Sequence, residues 1–368
     1  MSASGPLVSI AVFSYNTARY LPALCHSIQA QTYLNFEALI FEDGSTDNSV
    51  EVASSFLKDE RFQLIAWKPN KGLGTGVATA LDRVRGEHGL LIAADDELKP
   101  DFLKRRVALM EQHPEVAMIH GAAEFIDESG GLLPETSPLG GRAALMRRIE
   151  KRVRLLPSIM DSGEALRLLL QHNIVCAPSL FLRSSATRRL IPHALAKWDW
   201  AADWFLCLLH AAAGKMAYDP EPLVHYRIHA SSMSHQPRFI GPKQAEIRMI
   251  PLCALSLAAK NSPEAALLWS RYRKPLYALW LRRALALKRA GLLHDAWLQK
   301  AATAYYGHDE RNPASLRGEI AGHAFDIAWY GLKESLARRR QWMPVTGLAQ
   351  MNHSFFAGNN KPEGEDGE

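Results

Sequence analysis

Cysteine is scarce in this chain: four in 368 residues, Cys25, Cys176, Cys207 and Cys253, all far apart. There is no Cys-x-x-Cys pair and no nearby histidine at zinc spacing, which excludes a zinc ribbon and a disulfide scaffold. The four read as reduced, buried thiols of a cytosolic protein. Long apolar runs are missing too. No stretch of about 18 or more apolar residues is free of charge, so no spanning helix is expected. "MSASGPLVSIAVFSYN" lacks the basic start and apolar stretch of a signal peptide. A Walker A loop is absent, because no Gly-Lys-Ser/Thr follows the glycines of "NKGLGTG". There is no internal repeat and no nucleic-acid recognition module. Nor does one sign of charge dominate: 43 Lys and Arg against 38 Asp and Glu give a formal net charge of +5. That mild basicity suits a phosphate-bearing partner or an anionic membrane surface and selects neither.

What the chain does have is a large apolar fraction, 48%. That is enough for a sizeable core and for more than one compact unit. "PLVSIAVFSYN", "FEALIFEDGSTDNS", "FQLIAWK" and "GLLIAADD" read as strands. "TARYLPALCHSIQAQT", "SVEVASSFLKD" and "GVATALDRVR" read as the helices between them, the second capped by Ser45 or Thr46. Four alternations predict an α/β fold with a mostly parallel sheet and helices on both faces. Ligands of such sheets sit outside the carboxyl ends of the strands. Three of those ends carry polar clusters: "FSYN", "EDGSTD" and "ADDE".

Each cluster has a chemical and a structural reading. Asp95 and Asp96, at a strand's end, suit a hard divalent cation that also binds substrate phosphates. Equally, Asp95, Asp96 and Glu97 suit the start of the next helix, whose dipole favours acids. Asp43 suits a base N–H or a ribose hydroxyl, or an ordinary Asp-Gly turn. Tyr15 suits stacking on a base, or a place at the edge of the core. "NKGLGTG" offers backbone amides to phosphate, on weak grounds.

Taken together, "PLVSIAVFSYNTARYL", "FEDGSTDNS", "NKG", "ADDELKPDFL" and "ADWFLCLLHAAAGKMAYDPEPLVHYRIHASSMS" resemble, in order and spacing, the family-2 glycosyltransferases with the GT-A fold. The resemblance covers roughly residues 6–235. It implies transfer of a sugar from a nucleotide diphosphate-sugar donor to the hydroxyl of a glycan or lipid-linked acceptor, with inversion and with Mg²⁺ or Mn²⁺. It implies that Phe13, Tyr15 and Asn16 line the base and ribose pocket, that Asp43 binds the base edge, and that Asn70 and Gly72 shape the floor. Asp95 would bind donor and metal, with Asp96 and His229 completing the metal site. Asp203 would be the general base, with Asp199 as its rival and a helix cap as the structural alternative. Trp200 and Arg227 would face acceptor or phosphate, and His225 ranks below them.

The chain departs from the family pattern in three places. Ala93 stands where an acid is usual, Ala202 stands where the first acid of a pair is usual, and Val77 and Ala78 stand where a basic residue often is. Lys71 is then a candidate for the diphosphate charge. Ala93 and Ala202 keep a non-catalytic scaffold in view as an alternative; a nucleotidyltransferase is disfavoured by the first loop.

The expected organisation is a domain over 1–238, with a nucleotide-sugar half 1–104 and an acceptor half 105–238. A helical region over 239–350 and a polar tail over 351–368 follow. Basic clusters at Arg147–Arg154 and from Arg271 to Arg289 fit either solvated helix faces or contact with anionic lipid or a phosphorylated glycan. The resulting picture is a cytoplasmic enzyme of polysaccharide or lipopolysaccharide synthesis, with peripheral contact to the inner face of the cell membrane left open.

Overall fold

The computed structural model describes residues 5–134, 141–171, 173–188, 201–232, 240–273 and 276. Trp200, Asp199, most of the expected helical region and the tail lie outside the described residues.

Strand β1 (Val8–Ser14) runs between β2 (Phe36–Glu42) and a later strand, β4 (His88–Ala93), parallel to both. A parallel strand covered on both faces needs apolar residues at successive positions rather than alternate ones. That is why "VSIAV" and "FEALIF" are mostly apolar and buried throughout, their polar residues Ser9 and Glu37 hydrogen-bonded to each other at 2.6 Å. Between β1 and β2, helix α1 (Leu21–Gln29) accepts Pro22 in its first turn, where no amide partner is lost. It buries Leu21, Leu24, Cys25 and Ile28 at helical spacing. Helix α2 (Ser49–Ser55) leads to β3 (Phe62–Ala66), and α3 (Leu73–Arg83) leads to β4. Neither Ser45 nor Thr46 caps α2: its N-cap position is Asn48, without a side-chain cap bond. Helix α3 begins three residues before the glycine-valine pair that the apolar pattern marks. Gly76 inside it passes close to Phe13; a Cβ there would lie 3.3 Å from the ring.

After β4 come a short strand β5 (Glu97–Leu98), helix α4 (Phe102–Gln112), β6 (Val116–Gly121) and β7 (Glu124–Ile126). Then follow α5 (Gly141–Val153), β8 (Ile159–Met160), α6 (Ser162–Gln171), β9 (Phe181–Arg183) and α7 (Ser184–Arg188). The described chain closes with α8 (Ala202–Ala213), β10 (Lys215–Asp219), β11 (Val224–Arg227), α9 (Ile240–Ala258) and a helical stretch over 263–273.

The main sheet has the order β3-β2-β1-β4-β9-β6-β10-β8. It is parallel except for β9, antiparallel to β4 and β6, and β8, antiparallel to β10. A second sheet, β5-β11-β7, closes over the carboxyl ends of β4 and β6. One large hydrophobic cluster joins α6, α8 and α9 to the sheet, and another packs α1 and α4 on its other side. At the carboxyl edge of β10, Asp219 is fully buried and bridges Arg105 (2.7 Å) and Arg106 (2.7 Å) of α4. All four cysteines are buried and free, as their spacing predicts.

Candidate active site

The chain steps from β1 to β2 to β3 in one direction, and β4 then lies on the other side of β1. The loops after β1 and β4 therefore diverge, and a crevice opens between them.

On its nucleotide side the loops are tied to each other. Asn16 takes a left-handed φ of 54°, which asparagine tolerates better than most side chains. Its Oδ1 accepts from Thr46 N (2.8 Å) and its own N–H donates to Ser45 Oγ (2.8 Å). Thr17 N and Ala18 N donate to Ser49 Oγ and Asp47 Oδ2. Asn16 thus spends its side-chain carbonyl on the loop after β2. Tyr15 beside it is 47% exposed, so its ring is open for stacking. Phe13 stacks on Phe41 at 5.7 Å and forms floor rather than wall.

Asp43 follows β2 directly, one residue beyond Glu42. Its Oδ1 accepts from Lys71 N (2.6 Å) and its Oδ2 from Gly72 N (2.9 Å). Asn70 Oδ1 accepts from the same Gly72 amide at 3.0 Å. Gly72 has φ +86° and Gly44 has φ +72°; both are glycines because this double turn requires left-handed backbone. Each Asp43 oxygen keeps a lone pair for a base N–H or ribose hydroxyl. Lys71 Nζ lies 5.2 Å over the Trp67 ring. Val77 and Ala78 are buried in the core, which leaves no room for the basic side chain often found there.

The acids of "AADDE" do not start a helix. Asp95 and Asp96 make a turn, Glu97 enters β5, and α4 begins only at Phe102. Asp95 points to His229: its Oδ2 lies 2.9 Å from His229 Nε2, and His229 Nδ1 is 2.8 Å from Ser231 Oγ. Asp96 is buried and accepts from the backbone N–H of Arg227 at 3.0 Å. Asp96 thus spends Oδ1 on the main chain of β11. Among the described residues no three His, Cys, Asp or Glu side chains gather in a metal-binding group.

Arg227 is tied into the same turn. The resemblance makes it a balance for phosphate charge. It is buried, with Nε donating to Asp95 O (2.8 Å), Nη1 to Asp127 O (2.9 Å) and Nη2 to the Glu97 carboxylate. The Tyr20 ring packs against both its guanidinium (5.1 Å) and the His229 ring (4.7 Å). Burial and the neighbouring Glu128 push the Tyr20 hydroxyl up, against the pull of Arg19 and Arg227. Sequence reasoning missed Tyr20, whose only signal is its place just before a helix. His225 contacts Glu124 and Glu97 at 3.2 and 3.7 Å.

Asp203 occupies the second position of α8, half-buried, after an N-cap position held by Ala201. It does not cap the helix. Asn173 Nδ2 donates to its Oδ2 at 3.3 Å, a partner nothing in the sequence signalled. The next residue, Trp204, is buried and donates to Leu169 O at 2.9 Å, which anchors this turn of helix. Burial, followed by the Asp203 charge, raises the Cys207 thiol well above its ordinary value. Ala202 is 1% exposed, so an acid there would be buried. Ala93, in contrast, is exposed at the crevice. Helix α8 touches α3, and the large cluster holding Ala201, Ala202 and Trp204 also includes Phe13 and Leu73. The start of α8 is thus connected to the floor of the nucleotide side through packed side chains.

Known proteins agree with this architecture. Residues 9–174 match the model described as glycosyl transferase family 2. An uncharacterized glycosyltransferase of Haemophilus influenzae is 26% identical over 240 residues, 62% of this chain and 68% of the relative. TuaG of Bacillus subtilis, whose name assigns it to teichuronic acid biosynthesis, is 31% identical over 106 residues, 28% of this chain and 42% of TuaG. Among solved structures, Staphylococcus aureus TarS 1-349 in complex with UDP-GlcNAc superposes with a TM-score of 0.56 at 14% identity, covering 92% of this chain and 93% of that one. That likeness carries the fold, a mixed sheet flanked by helices in the GT-A arrangement. Over residues 9–174 the chain is thus similar to glycosyl transferase family 2, and the relative that covers most of it carries the glycosyltransferase name.

Proposed function

We propose that this protein transfers a sugar from a nucleoside diphosphate sugar to an acceptor hydroxyl, with inversion, in the assembly of a surface polysaccharide. The observation that carries the reading is the placement of Asp43 and Asp95 at the ends of β2 and β4, on either side of β1 at the switch point. In this reading Asp43 accepts from the base or ribose while it holds the Lys71–Gly72 loop closed, and Tyr15 stacks on the base. Asp203 accepts the proton of the acceptor hydroxyl. The acceptor oxygen forms its bond to the anomeric carbon from the face opposite the diphosphate. The bond from that carbon to the phosphate oxygen breaks, and its electron pair leaves with the nucleoside diphosphate.

The residues present fit a divalent cation. Asp95 Oδ2 and His229 Nε2 lie 2.9 Å apart, about the spacing of neighbouring ligands at right angles with bonds of ~2.1 Å. Such ions are commonly held by one or two carboxylates together with substrate phosphates. When bound there, Mg²⁺ or Mn²⁺ supplies Lewis-acid neutralisation of the leaving diphosphate. Asp95 and His229 would hold it, and Arg227 would hold Asp95. The polysaccharide setting is supported by the TuaG likeness, and a uridine donor is suggested by the UDP-GlcNAc of TarS. The acceptor is a glycan or lipid-linked glycan. Among the described residues no helix is long and apolar enough to cross a membrane.

The test is calorimetric titration of UDP, GDP, dTDP and CMP, with and without Mn²⁺, into the wild type and Asp95→Ala. Binding of one nucleoside diphosphate that needs both Mn²⁺ and Asp95 supports the reading. Release of free nucleoside diphosphate, and no pyrophosphate, from the matching sugar nucleotide separates transfer of a sugar from transfer of a nucleotide. Failure to bind any of the four removes the donor site.

A further inference from the structure

Helix α5 carries charge outside the crevice. Arg148, Lys151 and Arg152 are exposed, and Leu155, just past the helix, is 85% exposed. Their spacing of three, four and seven residues places the three basic residues on one face, with Leu155 following at its end. The chain then turns: Leu155 N donates to Arg152 O (3.1 Å) and Leu156 N to Val153 O (2.9 Å). That turn holds two leucines at the tip, the second 37% exposed. Two nearby arginines turn back onto the protein. Arg147 donates to the carbonyls of Leu133 and Pro134, and Arg154 pairs with Glu150 at 2.7 Å and reaches Pro220 O. The opposite face of α5 packs inward. Ala143 and Val153 are buried, and Met146 and Glu150 line a cavity with His120 and Tyr218, near the carboxyl ends of β6 and β10.

We propose that α5 and the turn after it dock on an anionic lipid bilayer. The three cations face the headgroups, and Leu155 with Leu156 enters the boundary between headgroups and acyl chains. Charge complementarity and an exposed apolar tip together define an interfacial element, and neither alone does. Leu155, two positions beyond the helix, is the most exposed large apolar side chain among the described residues. Docking through α5 would turn the carboxyl edge of β6 and β10 toward the membrane. That is the half of the protein from which a lipid-linked acceptor would approach. The proposal does not depend on the transferase reading, because nucleotide titration reports on that separately.

The experiment is co-sedimentation of the full chain with vesicles of phosphatidylcholine alone or mixed with phosphatidylglycerol, in about 0.1 M salt and again in about 1 M, where screening is near 3 Å. Binding is expected to the anionic vesicles only and to be lost at high salt. The triple variant Arg148→Glu, Lys151→Glu, Arg152→Glu should bind at least roughly a hundred-fold more weakly, at about five-fold per cation. The pair Leu155→Ser, Leu156→Ser, which leaves the charge unchanged, should bind anionic vesicles at least about ten-fold more weakly. That pair should keep its affinity for soluble polyglutamate. Unchanged nucleotide affinity and unfolding temperature confirm that both variants fold. Any of four results overturns the proposal: no binding of the wild type to anionic vesicles, wild-type binding by the triple variant, no effect of the leucine pair, or concentration-dependent self-association that the leucine pair abolishes. The third would mark a surface for a charged polymer, and the fourth an interface between copies of the chain.

Discussion

The Nε of Arg227 donates to the backbone carbonyl of Asp95 at 2.8 Å, while the backbone N–H of Arg227 donates to the Asp96 side chain at 3.0 Å. One residue of β11 therefore grips both acids of the turn after β4. It grips the first by its main chain, which leaves the Asp95 carboxylate to face His229.

This arrangement predicts that Arg227→Met destabilises the fold by about 2–4 kcal/mol, because the Asp127 and Asp95 carbonyls and the Glu97 carboxylate lose a buried, charged donor. Chemical denaturation measures it. Arg227→Lys, which reaches fewer of these acceptors, should recover only part. In both variants the Mn²⁺ dependence of nucleotide binding should weaken with the turn.

Asp203→Asn should lower kcat/KM by roughly 10²–10⁴, the range of general-base removal, with nucleoside diphosphate affinity unchanged by calorimetry. Asn173→Ala should have a smaller effect, about ten-fold, because it removes an orienting hydrogen bond at 3.3 Å and leaves the base in place. Wild-type turnover in Asp203→Asn would remove Asp203 from the mechanism.

Gly44→Ala should weaken nucleotide binding about ten-fold or more. It places a Cβ 2.7 Å from Asn70 N at φ +72°, so both strain and collision push on the loop that Asp43 holds. Gly130→Ala is the control. Its φ is +92°, but its nearest contact would be an ordinary 3.7 Å from Arg227. It should cost only backbone strain, about 1–2 kcal/mol of stability.

Stability should fall in mild acid. Burial pushes His120 down to about 3, helped by Arg106, and burial pushes His210 down to about 4. Both are neutral in the folded protein and titrate near 6.5 when unfolded. Below pH ~6.5 the unfolded state binds protons that the folded state refuses. Stability is then lost at about 1.4 kcal/mol per pH unit for each histidine, toward pH 4 for His210 and pH 3 for His120. Asp219 acts in a lower window. Burial raises it, but Arg105 and Arg106 outweigh burial and hold it below its ordinary value. Its contribution is present above pH ~4 and is lost as pH falls through the folded value. Denaturation curves between pH 8 and pH 5 should show the histidine slope, and His120→Phe should reduce it.

The sequence by itself determined the alternation of strands and helices through β4, since continuous apolar strands and periodic helices are local consequences of burial on two faces and on one. It also determined the strand ends that carry Asp43 and Asp95, because a carboxylate directly after a buried strand must leave the core to keep its charge solvated or paired. Tertiary structure alone decided the rest. Strand β8 is two residues long, too short for any period, and only its pairing with β10 makes it a strand. Asp95 and Asp96 are neighbours with the same side chain. One faces the crevice and the other faces β11, because a turn sends successive residues in different directions. Arg227 reads as a phosphate ligand in "HYRIH" and is a buried strut in the fold. Its partners stand 100 to 132 residues away, and long-range pairing of that kind leaves no mark on either local stretch.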